Sequence, residues 1–233
     1  YGEIGQLIRV ELKMIFRNKR PRSILYFSGI FMLYGFMFYK KENLDNHIIL
    51  SFSGLLLPAI FTTNYGQFLF SWESSFFDSF LVNKISHFNY IKAKHIFLSL
   101  SSTIGFLIVL PYSFISYKIA FINVAFLFYN IGVSSIVMIF FCTFNKSNID
   151  LGKNQFMNYQ GTGIMQFLIV IPIIAFPLLI YFLHSVLGFL SYYYYTIAVI
   201  GLIGITLNKN ILELLHSHFM KRRYEMAVGF RKK

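Results

Sequence analysis

The stretch FSWESSFFDSFLVNKISHFNYIKAKH, residues 70–95, separates two strongly apolar regions of the chain. It contains five charged residues, Glu73, Asp78, Lys84, Lys92 and Lys94. Aromatic residues are distributed among them throughout the stretch. Each flanking region is as long as a bilayer-spanning helix, which needs about 20 apolar residues. A charged, aromatic segment between two such regions is typical of a loop at the membrane surface.

The composition of the whole chain also indicates a membrane protein. Of its 233 residues, 56% are hydrophobic and 13% are charged, whereas soluble domains carry about 25% charged residues. The 29 Phe and 16 Tyr residues exceed what a soluble core of this size would bury. The net charge of +12 favours neither DNA nor RNA as a partner, because the basic residues flank apolar runs instead of forming a basic domain.

Six segments are long and apolar enough to span a bilayer. They are Ser23–Tyr39, His47–Phe70, Ile96–Tyr117, Ile119–Phe144, Thr162–Leu183 and Val186–Leu207. No Asp, Glu, Lys or Arg occurs inside any of them. The predicted fold is therefore an all-α polytopic membrane protein with six transmembrane helices.

The distribution of basic residues predicts the orientation of these spans. With Tyr1 on the cytoplasmic side, 18 of the 21 Lys and Arg residues are cytoplasmic, and Lys40, Lys41 and Lys118 are not. Basic residues concentrate in cytoplasmic loops, so both termini are expected inside. The resulting plan has an entry segment at 1–22, a six-span domain at 23–207 with its main cytoplasmic loop at 71–95, and a basic cytoplasmic tail at 208–233.

The entry segment has the pattern of an amphipathic helix. Ile4, Ile8, Leu12 and Ile15 recur every three or four positions. A basic stripe runs beside them, formed by Arg9, Lys13, Arg17 and Arg20. This arrangement predicts an interfacial helix that lies along the lipid headgroups and contacts anionic lipids. The alternative is a positive anchor with no further role.

The sequence lacks the residue patterns of common catalytic and metal sites. It contains no His-x-x-x-His pair, no phosphate-binding Gly-Lys-Ser/Thr loop and a single cysteine, Cys142. We therefore expect no catalytic residue, metal site or cofactor in this chain. Polar residues inside the spans form either interhelical hydrogen bonds or a substrate path. They are Asn64, Gln67, Asn123, Asn130 and Gln166.

The opening stretch resembles the signature of ABC-2-type transporter permeases. That signature has an acidic residue, a small pair, a second acidic residue, a leucine pair, a Pro-hydrophobic-Ser turn and a closing Lys. The matching residues here are Glu73, Ser75, Asp78, Phe80, Leu81, Ile85, Ser86 and Lys94. Ser75 replaces the usual Gly and Lys84 stands where Pro is usual, which predicts a less sharp turn.

A closer resemblance comes from two stretches, GEIGQLIRVELKMIFRNKRPRSIL at 2–25 and YGQFLFSWESSFFD at 65–78. Both are similar to the carboxy-terminal half of an uncharacterised family of large bacterial ABC-2-like permeases. The chain begins with Tyr1, so we expect it to be a piece of a longer protein.

The resemblance implies a permease half of an exporter in the bacterial inner membrane. ATP would bind a separate ATP-binding cassette ATPase, and a second six-span half would lie upstream in the polypeptide or in a homodimer. The loop at 71–95 would be a coupling helix that inserts into a cleft of the ATPase. Its expected contact residues are Glu73, Phe76, Phe77, Asp78, Phe80, Leu81 and Lys94.

Three other interpretations remain open at this level. The loop at 71–95 is alternatively a connector that dips its aromatic residues into lipid. The chain as a whole is alternatively a non-transporting scaffold or assembly subunit of a membrane complex. An intramembrane enzyme is disfavoured by the missing catalytic set.

Overall fold

The computed structural model describes residues 2–82, 85–152 and 163–231. Within those ranges the secondary structure is entirely helical, which confirms the predicted all-α class. The helices are α1 Glu3–Arg17, α2 Lys19–Met32, α3 Gly35–Phe38, α4 His47–Leu56, α5 Ile60–Gly66, α6 Phe77–Val82, α7 His87–Val109, α8 Tyr117–Tyr129, α9 Ser135–Cys142, α10 Ile164–Val186, α11 Tyr193–Thr206 and α12 Asn208–Arg231. Four of the basic residues used to predict the orientation lie outside the described ranges, namely Lys84, Lys153, Lys232 and Lys233.

Three helical stretches are long and apolar enough to cross a membrane. They are His87–Phe114, Tyr117–Cys142 and Gln166–Val186. Two further pairs meet the same test but are bent, α4 with α5 by 58° and the stretch Leu190–Thr206 with α12 by 67°. The described residues therefore provide three to five candidate spans, and the count of six stays a prediction.

The first predicted span, Ser23–Tyr39, is not among these candidates. In the structure α2 ends at Met32, and the short helix α3 follows after a break at Leu33 and Tyr34. Neither helix has the length of a spanning segment by itself. The predicted fifth span began at Thr162, which lies outside the described residues.

The entry segment forms α1, with one apolar face turned inward. Leu7, Met14 and Ile15 are buried, whereas Arg9, Lys13 and Arg17 are exposed. The helix is amphipathic, as its periodicity predicted, but the inward face is not the predicted stripe, because Leu12 is 44% exposed and Ile4 and Ile8 are half-buried. Its placement along lipid headgroups stays a prediction.

Arg20 does not belong to the exposed basic stripe, and that part of the prediction is wrong. The chain turns at Asn18, whose backbone is extended, so Arg20 lies in the first turn of α2. Its side chain is buried with the guanidinium 5.7 Å from the ring centre of Phe68 and 5.9 Å from that of Trp72. Its hydrocarbon stem and planar head pack against these aromatic rings.

Glycines allow α8 and its extension to cross α11 at very short distance. A π-helical turn at Asn130–Ser134 joins α8 to α9 and contains Gly132. A Cβ atom on Gly204 would lie 2.1 Å from the carbonyl oxygen of Gly132, and one on Gly132 would lie 2.0 Å from the carbonyl oxygen of Gly201. Small residues of this kind are common where membrane helices pack closely.

The segment predicted as a basic tail is a long helix that packs on the rest of the molecule. In α12, Phe219, Met226 and Phe230 are buried. The helix contacts α6, α7 and α9, so it lies directly over the loop of the opening stretch. The described part of this segment is therefore not a free tail held only by lipid.

Candidate functional site

The opening stretch folds into two short turns of helix that lead into α7. Residues Ser71–Glu73 form a 3-10 turn, and α6 follows at Phe77–Val82. The hydroxyl of Ser86 then accepts a hydrogen bond from the backbone N–H of Asn89 and caps α7. Lys84, the predicted departure from the family turn, lies outside the described residues.

Glu73 is buried and has partners within its own chain. Its side chain is 2% exposed, and its Oε1 atom lies 2.8 Å from the Nζ atom of Lys94. The hydroxyl of Tyr90 donates a hydrogen bond to its other oxygen. The expectation that Glu73 is a contact residue for an ATPase does not fit this structure, because its carboxylate is enclosed and already paired within the chain.

Lys94 connects three parts of the chain. Its ammonium group forms ion pairs with Glu73 of the 3-10 turn and with Glu11 of α1. It also donates a hydrogen bond of 3.3 Å to the carbonyl oxygen of Leu69. Since Lys94 belongs to α7, one buried side chain joins the entry helix, the loop and a candidate span. We call Glu11, Glu73, Lys94, Tyr65 and Tyr90 the buried charge network.

Aromatic side chains enclose this network. The hydroxyl of Tyr65 donates to Glu11, and the indole N–H of Trp72 donates to the carbonyl oxygen of Tyr65 at 2.9 Å. The ammonium of Lys94 lies 5.1 Å from the ring centre of Tyr90. Cation–π attraction of this kind strengthens when water is excluded.

The charges of the network do not balance. One ammonium group faces two carboxylates, Glu11 and Glu73. Burial raises the pKa of Glu73 to about 7, with the nearby Lys94 acting in the opposite direction. Proton uptake by Glu73 near neutral pH would leave one carboxylate for one ammonium.

Helix α6 has one buried face and one exposed face. Phe77 is 1% exposed and packs against Phe219 and Phe230 of α12, with 5.1 Å between the ring centres of Phe77 and Phe230. The prediction that Phe77 is an anchor for an ATPase is therefore wrong in this structure, because α12 covers that face. Sequence reasoning did not foresee this role of α12.

Four predicted contact residues remain at or beside the exposed face of α6, whereas Lys94, also predicted as a contact, is buried on α7. Phe76, Phe80 and Leu81 are half-buried and Asp78 is exposed. Asp78 forms a two-pronged ion pair with Arg231 of α12, at 2.9 Å for each pair of atoms. Val82, which sequence reasoning missed, is 85% exposed at the end of the helix. We call Phe76, Asp78, Phe80, Leu81 and Val82 the α6 surface.

The five polar residues predicted to form either interhelical hydrogen bonds or a substrate path differ in their contacts. Asn123 is buried and accepts a hydrogen bond of 2.6 Å from the hydroxyl of Tyr39. Asn130 is buried and donates to the carbonyl oxygen of Leu55 at 3.1 Å. Gln166 accepts from the backbone N–H of Gly163 at the start of α10. Asn64 lies on α5 and Gln67 directly follows that helix; both are half-buried, and the side chain of Gln67 donates to the carbonyl oxygen of Asn64 at 3.2 Å. The contacts of Asn123 and Asn130 fit the alternative of interhelical hydrogen bonds, whereas those of Gln67 and Gln166 are local.

The chemistry available at the site is electrostatic. In the described ranges no three His, Cys, Asp or Glu residues come together in a way that would hold a metal ion. Cys142 is buried and donates to the carbonyl oxygen of Gly66 at 2.9 Å. The network can hold or release a proton at Glu73, and its ion pairs connect the loop to α1 and α7.

Comparison with known proteins adds a family and no function. No curated protein and no solved structure matches the chain significantly. One family model matches residues 1–233, and its description states that the function is unknown. Because this match covers the chain from end to end, the chain belongs to the family of unknown function DUF5687.

Proposed function

We propose that this chain is the membrane-spanning permease half of an ABC-2-type exporter. A separate ATP-binding cassette ATPase hydrolyses ATP and docks on the α6 surface, and this chain has no ATPase site of its own. The chain crosses the bacterial inner membrane six times with both termini in the cytoplasm. A second six-span half completes the transporter. The observation that carries the proposal is the buried charge network, which ties the loop to α1 and α7 through Lys94.

A coupling loop must transmit displacement without deforming. The α6 surface begins three residues after Glu73, and Glu73 is paired to Lys94 on α7. Lys94 is paired in turn to Glu11 on α1. Separating buried charged partners costs about 3–5 kcal/mol. A displacement of α6 would therefore move α1 and α7 before the ion pairs of the network separate.

The α6 surface has the composition of a small docking site. It combines aromatic and aliphatic side chains with one carboxylate, Asp78, at its edge. Aromatic anchors surrounded by a polar rim dominate the binding energy of many interfaces. Of these residues, Val82 is the most exposed, at 85% of its reference surface.

One observation favours the second candidate, a scaffold subunit without transport activity. Two buried amides of the candidate spans, Asn123 and Asn130, are used in hydrogen bonds between segments of this chain. A transporter needs a polar or amphipathic path, which the second half would then have to supply. Substrate-stimulated ATP hydrolysis separates the two candidates, since a scaffold would bind partners without it.

The proposal is tested by co-purification of an ATP-binding cassette ATPase with variants of the α6 surface. Phe80→Ala and Val82→Asp should each reduce the retained ATPase at least fivefold, since loss of an interface anchor costs about 2 kcal/mol or more. Tyr117→Asp is the matched control. Tyr117 is 89% exposed at the far end of the hairpin formed by α7 and α8, outside the α6 surface.

Two results would count against the proposal. The first is wild-type retention of the ATPase by both α6 variants. The second is an equal loss with Tyr117→Asp, which would show general destabilisation. Retention of the ATPase without any stimulated hydrolysis in lipid would support the scaffold candidate.

A further inference from the structure

An apolar groove runs between α1, α2, α5 and α7. It has a volume of about 270 Å³, and its lining includes Leu12, Phe16, Ser28, Gly29, Phe61 and Phe97. A second cavity of about 290 Å³ continues it towards the end of α7 and shares Gly29, Met32 and Ile108 with it. The side chains of Phe16 and Ile108 are more than half exposed, so the groove is open along one side.

The groove contains a buried hydroxyl that no described residue satisfies. Ser28 is 1% exposed, and its Oγ atom has no hydrogen-bond partner in the described part of the chain. Buried polar atoms almost always have a partner, and an unpaired one costs free energy. An occupant of the groove is therefore expected to bring an acceptor oxygen to an otherwise apolar site.

Exposed cations border the groove on the surface of α1. Arg9 precedes Leu12 by three residues, and Lys13 precedes Phe16 by three residues. Residues with this spacing are neighbours on a helix surface. Arg9 and Lys13 are both exposed, so they can meet an anionic group whose apolar part lies in the groove.

We infer that the groove binds an anionic diacyl phospholipid. An acyl chain fills the apolar channel, the phosphate faces Arg9 and Lys13, and an ester carbonyl accepts from Ser28. Ser28 is six positions after Arg22, the last basic residue of α2. At 1.5 Å per residue this places the hydroxyl about 9 Å along the helix from that residue. An ester carbonyl lies between the phosphate and the acyl chain. The inference does not depend on the proposed transport function.

Gly29 provides a way to fill the groove without disturbing the fold. A Cβ atom at this position meets no heavy atom within 4 Å. Gly29→Leu therefore places a side chain in the space assigned to the acyl chain. Gly2→Leu is the matched control, because a Cβ at Gly2 also meets nothing within 4 Å and Gly2 does not line the groove.

The test measures lipid retained by the purified whole protein after exchange in detergent. The protein is incubated with equal amounts of phosphatidylglycerol and phosphatidylcholine, and bound lipid is counted by native mass spectrometry. Wild type and Gly2→Leu should retain phosphatidylglycerol at least fivefold over phosphatidylcholine. Gly29→Leu should lose most of both lipids. Arg9→Gln combined with Lys13→Gln should lose the preference, whereas Lys221→Gln on α12 should keep it.

Ser28→Ala provides a second test, in which the variant side chain adds no volume to the groove. This substitution should weaken retention of phosphatidylglycerol about twofold to twelvefold and leave the charge preference intact, since one hydrogen bond contributes about 0.5–1.5 kcal/mol. Undiminished lipid retention by Gly29→Leu would overturn the inference. Equal retention of the two lipids by wild type would also overturn it. A third contradicting result is that Gly29→Leu no longer self-associates but retains as much lipid as wild type. That result would assign the groove to another copy of the protein.

Discussion

At the scale of single residues, Lys94 is the position on which the account depends most. It holds Glu11 and Glu73 together in an environment from which water is excluded. Removing one member of a buried ion pair leaves an unpaired charge and costs about 3–5 kcal/mol. Lys94→Met should therefore lower the free energy of unfolding by about that amount, measured by denaturant unfolding in detergent micelles. Lys92→Met, a half-buried lysine of the same helix outside the network, should change it by less than about 1 kcal/mol. Equal losses in the two variants would contradict this role of Lys94.

The raised pKa of Glu73 predicts a dependence of stability on pH. Burial raises this pKa from 4.5 to about 7, so the folded protein keeps a proton that the unfolded chain loses within that window. Because the folded state binds more protons there, stability falls as pH rises from about 4.5 to about 7. Glu73→Gln does not titrate, so its unfolding temperature should fall less than that of wild type across the same window. Parallel pH profiles in thermal unfolding experiments would contradict the assignment.

Part of the network was predictable from single residues, and its pairing was not. The resemblance selected Glu73 and Lys94, and the helical period of α1 places Glu11 between the buried residues Leu7 and Met14. A carboxylate on an apolar face signals a buried partner. That signal does not say which cation pairs with it, because Glu11 and Lys94 are far apart in sequence and meet only through packing. The same packing explains why Glu73 and Phe77 face inward instead of towards a partner.

At the scale of elements, the crossing of α8 and its extension with α11 is the most demanding contact. Any side chain on Gly204 would meet the backbone of Gly132, which cannot move independently. Overpacking of this kind typically costs about 1–3 kcal/mol. Gly204→Ala should lower the unfolding temperature in detergent, whereas Gly29→Ala, where a Cβ meets open space, should not. A neutral Gly204→Ala would show that the helices cross further apart than described here.

The elements differ in how far their sequence determines them. Amphipathic periodicity predicted α1, and long apolar runs predicted the helices that become α7, α8 with α9, and α10. The bends between helices are harder to predict from sequence. Pro58 allows the 58° break between α4 and α5 but does not set its angle. The docking of α12 was missed. The apolar stripe of α12 is narrow, and its basic residues favoured the prediction of a cytoplasmic tail. In the structure, Phe219 and Phe230 pack against the aromatic residues of the loop.

At the scale of the whole molecule, orientation is the expectation most open to direct measurement. Lys41 lies between α3 and α4 and Lys221 lies on α12, and both are exposed. Lys41→Cys should react with a membrane-impermeant thiol reagent from outside intact cells, and Lys221→Cys only after permeabilisation. The native Cys142 is buried, which keeps background labelling low. The reverse pattern would contradict the orientation derived from the basic residues.

The central claim is that the α6 surface contacts an ATP-binding cassette ATPase. The most direct measurement is photocrosslinking in native membranes from an unnatural amino acid at position 82, with position 117 as the control. The account predicts that position 82 yields one major crosslink, identified by mass spectrometry as an ATP-binding cassette ATPase, and that position 117 does not. Crosslinks from position 82 to lipid alone, or to proteins without an ATP-binding cassette, would contradict the claim.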